Sequence, residues 1–144
     1  MNSILQKVHK SMNTEFLIDN NCFVCGSENP HGLKLNIIES PDGVKSKIKF
    51  PLWTQGYNRI VHGGIVSTVL DEVAVWAGVK KIKSSCVTTE LNVRLKKPVK
   101  VDEEYVAKGW VKNTKNKLIE AESEIKDRNN NVMASAYVKL LKVT

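Results

Sequence analysis

Apolar residues recur along this chain with two different periods, which separate helical from strand-like segments. Near the start, apolar side chains recur every four or five residues, at Ile4, Val8, Met12, Phe16 and Leu17. That spacing predicts an amphipathic helix over residues 1–20. Residues 60–79 are apolar almost throughout and include two glycines near their start. This pattern predicts a long buried helix that ends near Val79, before a cluster of lysines.

Alternation of apolar and polar residues marks six further segments, which are residues 33–39, 44–50, 86–97, 104–114, 117–126 and 132–143. The alternation is clearest in residues 117–126, where Glu120, Glu122 and Glu124 alternate with apolar or small residues. Such a pattern predicts a strand with one buried and one solvated face. The spacer Ser-Pro-Asp-Gly at residues 40–43 favours a hairpin turn between the first two strands.

The order of these elements is helix, two strands, long helix and four strands. Consecutive strands joined by short turns pair antiparallel, and one long apolar helix can cover one face of the resulting sheet. We therefore predict the α+β class, with a curved antiparallel β-sheet wrapped around one long central helix. We expect residues 1–20 to form a separate N-terminal helix and residues 21–144 to form the main domain. The open sheet edges favour pairing with a second copy of the chain.

Composition and length agree with one ordinary globular domain. The chain has 144 residues, of which 42% are hydrophobic and 26% are charged. No apolar run approaches the roughly 20 residues that span a bilayer, so no membrane partner is expected. The first residues also lack the roughly 7–15-residue apolar core of a secretory signal, which makes the cytoplasm the expected location.

The net charge of +7 does not indicate a nucleic-acid partner, because of how the charge is distributed. Only three of the 22 basic residues are arginine, and the lysines are scattered over every segment. No arginine-rich block with interleaved aromatic residues occurs. A lysine-rich surface of this kind is either simply solvated or attracts a small ligand that carries phosphate.

The three cysteines are an odd number, so structural disulfides are not expected. Cys22 and Cys25 form a Cys-x-x-Cys pair, which is half of a zinc site, and His31 could be a third ligand. No fourth ligand follows at a suitable spacing. We therefore expect an ordered loop with reduced thiols and no metal.

The long helix carries two carboxylates, Asp71 and Glu72, among apolar residues. At 100° per residue, Asp71 lies on a face of small residues with Ser67, Ala74 and Gly78, which would let a partner chain or a substrate approach closely. Glu72 lies on another face, near Trp76, and is expected to be structural and paired with a lysine. Asp71 is either a surface carboxylate or a catalytic group.

The catalytic interpretation combines Asp71 with the glycines that open the helix. Gly63 and Gly64 expose backbone N–H groups that can polarise a carbonyl oxygen, and a carboxylate can act on the same carbonyl carbon. The rise along the helix from Gly63 to Asp71 is about 12 Å, which is too far for one carbonyl. Two antiparallel helices would instead bring Gly63 of one copy near Asp71 of the other, so the spacing suggests a two-fold assembly.

The segment HGGIVSTVLDE at residues 62–72 follows QGYNRIV and precedes TTELNVRLKKPV. With these flanks it resembles the hotdog-fold acyl-CoA thioesterases of the phenylacetic-acid-degradation (PaaI-like) group, over about residues 22–141. The resemblance implies the hotdog fold and hydrolysis of an acyl-CoA thioester at a dimer interface. The motif is specific for the superfamily and much less so for the substrate.

The resemblance also implies roles for single residues. The Gly63 N–H would polarise the thioester carbonyl, and Asp71 of the opposite subunit would attack the thioester or activate a water. Thr88 would position that water or the carboxylate. His62 would shape the pocket, unless it only fixes the turn at the helix start.

Further substrate contacts are expected from the loop before the helix and from basic residues. The resemblance places Gln55, or in competition Asn58, near the thioester. Gly64 is a further candidate for substrate binding. Charge and position alone suggest four side chains for the coenzyme A phosphates, which are Arg59, Arg94, Lys96 and Lys97.

We therefore predict an acyl-CoA thioesterase that is a homodimer or homotetramer and needs no metal or cofactor. The alternative is a non-catalytic acyl-CoA-binding protein that uses the same cleft, since this fold can bind ligand without chemistry. A hotdog dehydratase would need a histidine and a carboxylate placed for proton transfer. His62, which precedes the glycines, fits that role poorly.

Overall fold

The computed structural model describes residues 18–143. It contains one α-helix and six strands, together with a short 3-10 helix at Leu52–Thr54. The helix is α1 (Gly63–Ile82), and the strands are β1 (Ile38–Ser40), β2 (Gly43–Lys49), β3 (Cys86–Leu95), β4 (Glu104–Lys115), β5 (Leu118–Lys126) and β6 (Val132–Lys142). Of the predicted N-terminal helix, residues 1–17 lie outside the described part, and residues 18–20 form an irregular segment and a turn.

The six strands form one antiparallel sheet in the order β1-β2-β4-β5-β6-β3. Helix α1 packs across one face and contacts five of the strands, from β2 to β6. Its inward residues Val69, Leu70 and Val73 are fully buried. The predicted α+β fold, a curved antiparallel sheet wrapped around one central helix, is therefore confirmed.

The predicted alternation in β5 is confirmed by burial. Ile119, Ala121, Ser123 and Ile125 are buried, and the residues between them are partly exposed. The buried side faces α1, so the period of two in the sequence sets which face of β5 joins the core.

The first predicted strand is wrong for most of its length, since only Ile38–Ser40 pairs with β2. The backbone N–H groups of Leu33 and Leu35 instead donate to the carbonyls of Phe23 and Val24, at 2.8 and 2.9 Å. The alternation in residues 33–37 places the side chains of Leu35 and Ile37 in the core, while the backbone of this segment bonds to the Cys-x-x-Cys loop and not to the sheet.

The helix runs three residues beyond the predicted end at Val79. Lys80 does not stop it, because lysine is a good helix former. Its Nζ donates to the carbonyls of Ser40 and Gly43, at 2.7 and 2.9 Å. The ammonium group thereby binds the β1–β2 hairpin. The helix ends where Lys83 adopts a left-handed conformation with φ of 53°, which is a common way for helices to stop.

Two glycines set how closely the helix and sheet approach each other. A Cβ at Gly109 of β4 would lie 2.2 Å from the carbonyl oxygen of Val73, so the backbones of β4 and α1 are in contact. A Cβ at Gly78 would lie 2.8 Å from Leu140 and 3.1 Å from the Cys86 sulfur. The C-terminal part of the small-residue face therefore packs on the chain's own sheet and is closed to a partner or substrate, contrary to the prediction.

Candidate active site

The start of α1 is fixed by His62. The His62 Nδ1 accepts a hydrogen bond from the Gly64 N–H at 2.9 Å, as a side-chain cap does. This contact confirms that the imidazole fixes the turn. The Gly63 N–H occupies the first helical position and has no acceptor in the described part of the chain. It is available to a ligand at the positive end of the helix dipole.

A cleft of about 640 Å³ lies beside this helix start. It runs between the loop before α1 and the residues that follow β3, and its walls include His62, Gly63, Leu95, Lys96 and Lys97. Gly63 and Leu95 are close neighbours, since a Cβ at Gly63 would lie 2.9 Å from the tip of Leu95. The structure thus brings the two predicted lysines and two of the three predicted helix-start residues, His62 and Gly63, to one cleft, which Gly64 does not line.

The two predicted arginines do not line this cleft. Arg59 forms an ion pair with Asp102 at 3.6 Å, and both side chains are more than half exposed. Arg94 is exposed on β3 opposite Ser135. Their proposed contact with coenzyme A phosphates is therefore not supported by their position in a single chain.

The loop before α1 holds Gln55 and Asn58, both exposed and both outside the cleft walls. The Gln55 Oε1 accepts a hydrogen bond from the Arg59 N–H at 3.1 Å, and Gln55 pairs with Val61 across the loop. The side-chain amide oxygen of Gln55 thus stabilises the turn of its own loop. The bridge to Val61 keeps Gln55 near the start of α1, but its side chain does not line the cleft.

Asp71 lies farther along α1, in a setting of its own. The Thr88 Oγ1 donates to the Asp71 Oδ1 at 2.7 Å, which joins the helix to the start of β3. Both residues are half-buried. Burial raises the pKa of the Asp71 carboxyl, while the Thr88 hydrogen bond acts in the lowering direction. The predicted Asp71 and Thr88 are therefore brought together, but neither lines the cleft at Gly63.

Glu72 has other partners than the predicted lysine. The Trp76 indole N–H donates to the Glu72 Oε1 at 3.1 Å, and the Cys22 sulfur lies 3.9 Å from the same oxygen. Burial raises the pKa of Glu72 to about 7. The predicted proximity of Glu72 to Trp76 is confirmed, and the pairing with a lysine is wrong because the helix face is covered by the Cys-x-x-Cys loop.

The Cys-x-x-Cys loop and Glu72 form a cluster that the sequence did not indicate. One ligand atom each of Cys22, Cys25 and Glu72 lies within 4.8 Å of the other two. The thiol–thiol hydrogen bond lowers the pKa of Cys22 and raises that of Cys25. The exposed His31, proposed as a third ligand, is not part of this cluster. Fifty residues separate Cys22 from Glu72, so no short motif could have joined them.

Comparison with known protein families shows the superfamily to which the chain belongs. A family model described as the Thioesterase superfamily matches residues 58–134, which span the helix start, Asp71 and Thr88. The match covers more than half of the sequence, so the chain belongs to this superfamily. A search of curated proteins finds no match.

Solved structures agree on the fold. A thioesterase from Haemophilus influenzae has 15% identity and a TM-score of 0.74, covering 83% of this chain and 85% of that chain. Zebra fish thioesterase superfamily member 2 has 16% identity and a TM-score of 0.73, covering 83% and 90%. A Streptococcus mutans protein, solved bound to acetyl CoA, has 14% identity and a TM-score of 0.67, covering 76% and 88%. At these identities the similarity shows the hotdog fold alone.

Hydropathy adds one further finding. Within residues 18–143, α1 and every other helix is too short or too polar to cross a membrane.

Proposed function

We propose that this protein is an acyl-CoA thioesterase whose active site is shared by two subunits of a homodimer, or of a tetramer built from such dimers. The observation that carries the proposal is the half-buried Asp71, held by Thr88 at 2.7 Å. A carboxylate in this position is desolvated and oriented, as a general base or nucleophile must be. Within one chain it lies away from the helix start that could hold a carbonyl oxygen.

The arrangement of β3 supports a shared site. This strand lies at the sheet edge, where Leu91 and Leu95 are 40% and 54% exposed. If two copies pair through β3 in antiparallel fashion, the start of one strand lies beside the end of the other. Thr88, at the start of β3, donates a hydrogen bond to Asp71. Leu95, at the end of β3, lies beside Gly63. Pairing would therefore bring the carboxylate of one subunit to the cleft of the other.

The chemistry follows from this juxtaposition. The Gly63 N–H donates to the thioester carbonyl oxygen and stabilises the negative charge that develops on it. Asp71 of the opposite subunit either removes a proton from a water that attacks the carbonyl carbon, or attacks that carbon itself and is later released by water. In both routes the carbon–sulfur bond breaks, and the products are a carboxylic acid and a free thiol. Thr88 keeps the carboxylate in position.

Two features support coenzyme A as the thiol portion. Lys96 and Lys97 line the cleft near Gly63, where their ammonium groups can attract phosphate. The similar Streptococcus mutans protein was solved with acetyl CoA bound. We place the protein in the PaaI-like group of these thioesterases because residues 62–72, HGGIVSTVLDE, resemble the helix motif of that group.

The direct test is thiol release from short, long and aromatic acyl-CoA substrates. We expect the wild type to hydrolyse at least one of them and Asp71→Asn to lower kcat on the order of 10²-fold or more, because the amide cannot accept the proton or attack. Asp42→Asn makes the same chemical change in the exposed β1–β2 turn and should retain full activity.

The same panel distinguishes the alternative of a binding protein. Tight binding of acyl-CoA without hydrolysis of any substrate would favour ligand binding alone, which the engagement of Gln55 within its own loop allows. Near wild-type turnover by a folded Asp71→Asn variant would instead remove Asp71 from the mechanism.

A further inference from the structure

The Cys-x-x-Cys loop, residues 22–25, is folded so that both sulfurs face the central helix. The Gly26 N–H donates to the Cys22 carbonyl at 2.8 Å, which closes the turn that contains both cysteines. A Cβ at Gly26 would lie 2.2 Å from the Asn20 carbonyl oxygen, so the turn is tight enough to require glycine there. This turn places Cys22 and Cys25 together without a disulfide.

The loop is also anchored to the segment that follows it. Besides the two bonds from Leu33 and Leu35 described above, the Asn29 side chain donates to the Asn21 carbonyl at 2.9 Å. The Val24 side chain is buried at 3% exposure. The two sulfurs are therefore held by a preformed loop, and a bound ion would not have to order it.

Glu72 completes the cluster from the opposite side. Its Oε1 lies 3.9 Å from the Cys22 sulfur and accepts from the indole of Trp76, which is 3% exposed. A buried donor that orients a carboxylate in this way is the usual partner of a metal ligand, because it fixes the position of the ligand atom. The three ligand atoms lie within 4.8 Å of one another, a spread that a small shift would bring around one ion.

We propose that Cys22, Cys25 and Glu72 bind one zinc ion per chain. Two thiolates and one carboxylate suit Zn²⁺, which is borderline-soft and takes sulfur and oxygen ligands in a tetrahedral set. Three protein ligands leave a fourth position for water. The site differs from the cleft in residues and position, and it joins the loop to α1 as a structural clip. It needs neither the proposed hydrolysis nor the dimer.

The site is tested with untagged, full-length protein that has been reduced and stripped with a chelator. After addition of Zn²⁺ and gel filtration, elemental analysis should find one equivalent of zinc per chain. Cys22→Ser and Cys25→Ser should lose it, and Glu72→Gln should bind at least about 10-fold more weakly, since loss even of a supporting contact costs that much. Cys86→Ser, which removes a buried cysteine outside the cluster, should retain the full equivalent.

Cobalt supplies a second measurement that does not depend on variants. Co²⁺ added to the reduced wild type should give the cobalt–thiolate charge-transfer absorption and lose it on addition of zinc. The proposal is overturned if reduced wild type retains no zinc, if no cobalt–thiolate band forms, or if Cys22→Ser keeps its zinc while folded by circular dichroism. Each result stands whether or not the protein hydrolyses acyl-CoA.

Discussion

Asp71 and Thr88 show what a single hydrogen bond can do for a half-buried carboxylate. Hydrogen bonds to charged groups contribute about 1.5–3 kcal/mol, roughly twice as much as those between neutral groups. Here the donor comes from β3 and the acceptor from α1. The contact thus orients the carboxylate and also ties the helix to the edge strand.

This contact leads to a prediction for turnover. Thr88→Val keeps the shape of the side chain but removes the hydroxyl, so kcat should fall about 10- to 100-fold, equivalent to one charged hydrogen bond. KM should change little, because the proposed role of Thr88 is to hold the Asp71 carboxylate and not the substrate. Steady-state kinetics on the best acyl-CoA substrate provides the measurement.

Two variants control this experiment. Thr88→Ser restores the hydroxyl and should recover most of kcat, which a purely structural role of the threonine methyl would not explain. Thr89→Val removes the neighbouring hydroxyl, which is exposed and donates to the Lys139 carbonyl at 3.2 Å, and should leave kcat unchanged. Equal losses in Thr88→Val and Thr89→Val would contradict a specific role for the Asp71 contact.

At the scale of elements, the contact of α1 with β4 is made by backbone atoms at Gly109. Any side chain at this position meets the Val73 carbonyl, which belongs to the helix backbone and cannot rotate away. The helix must therefore move off the sheet or the strand must bend. Glycine in a strand interior often marks such a close approach.

Gly109→Ala should therefore be strongly destabilising, by at least about 3 kcal/mol, which is the upper part of the range for overpacked cores. Chemical denaturation followed by circular dichroism provides the free energy of unfolding. Gly56→Ala is the matched change in the loop before α1, where the new methyl meets only His62 at 3.4 Å, and it should stay within about 0.5 kcal/mol of wild type. Similar stability of the two variants would show that α1 does not rest on β4 at Gly109.

The sequence predicts most of these elements because their periodicity is set locally. Strands β4, β5 and β6 begin and end within one residue of the predicted limits, since each alternates regularly between turn residues. The first strand was wrong because bonds to a distant segment decide it. Leu33 and Leu35 bond to the Cys-x-x-Cys loop. The end of α1 was wrong because lysines continue a helix, which here ends only at the left-handed Lys83.

The candidate site also has a part that is set by neighbouring residues and could be predicted, and a part that is set by distant contacts and could not. The helix-start turn could be predicted from His62 and the glycines, which are neighbours in the sequence. The cluster of Cys22, Cys25 and Glu72 could not be predicted, because helix geometry gives only the face of Glu72 and not what covers it. The hydrogen bond from the Arg59 N–H to the Gln55 side chain could not be predicted either, because it depends on how the loop folds.

At the scale of the whole molecule, the proposed active site shared by two subunits predicts how dimers of two different variants behave. Gly63→Pro removes the N–H at the first helical position, where proline is well accepted. The preceding His62 has φ of −57° and ψ of 134°, which is also suitable before proline. We therefore expect Gly63→Pro to fold, to lack the carbonyl donor and to be nearly inactive. Gly63→Ala keeps the N–H and controls for the added carbon beside Leu95.

Mixing the two inactive variants should restore activity. When Asp71→Asn and Gly63→Pro subunits are unfolded together and refolded, half of the dimers are mixed and each has one intact site, so about a quarter of wild-type activity returns. Thiol release before and after mixing provides the measurement. A mixture that stays inactive, although native mass spectrometry detects mixed dimers, would place Gly63 and Asp71 in the same subunit's site.

The bonds from Lys80 to the β1–β2 hairpin have a consequence for local opening. Because Lys80 Nζ bonds Ser40 and Gly43, the last turn of α1 and the hairpin lose contacts together when either one frays. Segments linked in this way tend to open as one cooperative unit, with a common protection against amide hydrogen exchange. The opposite end of α1, with its histidine cap, does not share these bonds. Fraying at the last turn of the helix can therefore occur while the first turn keeps its geometry.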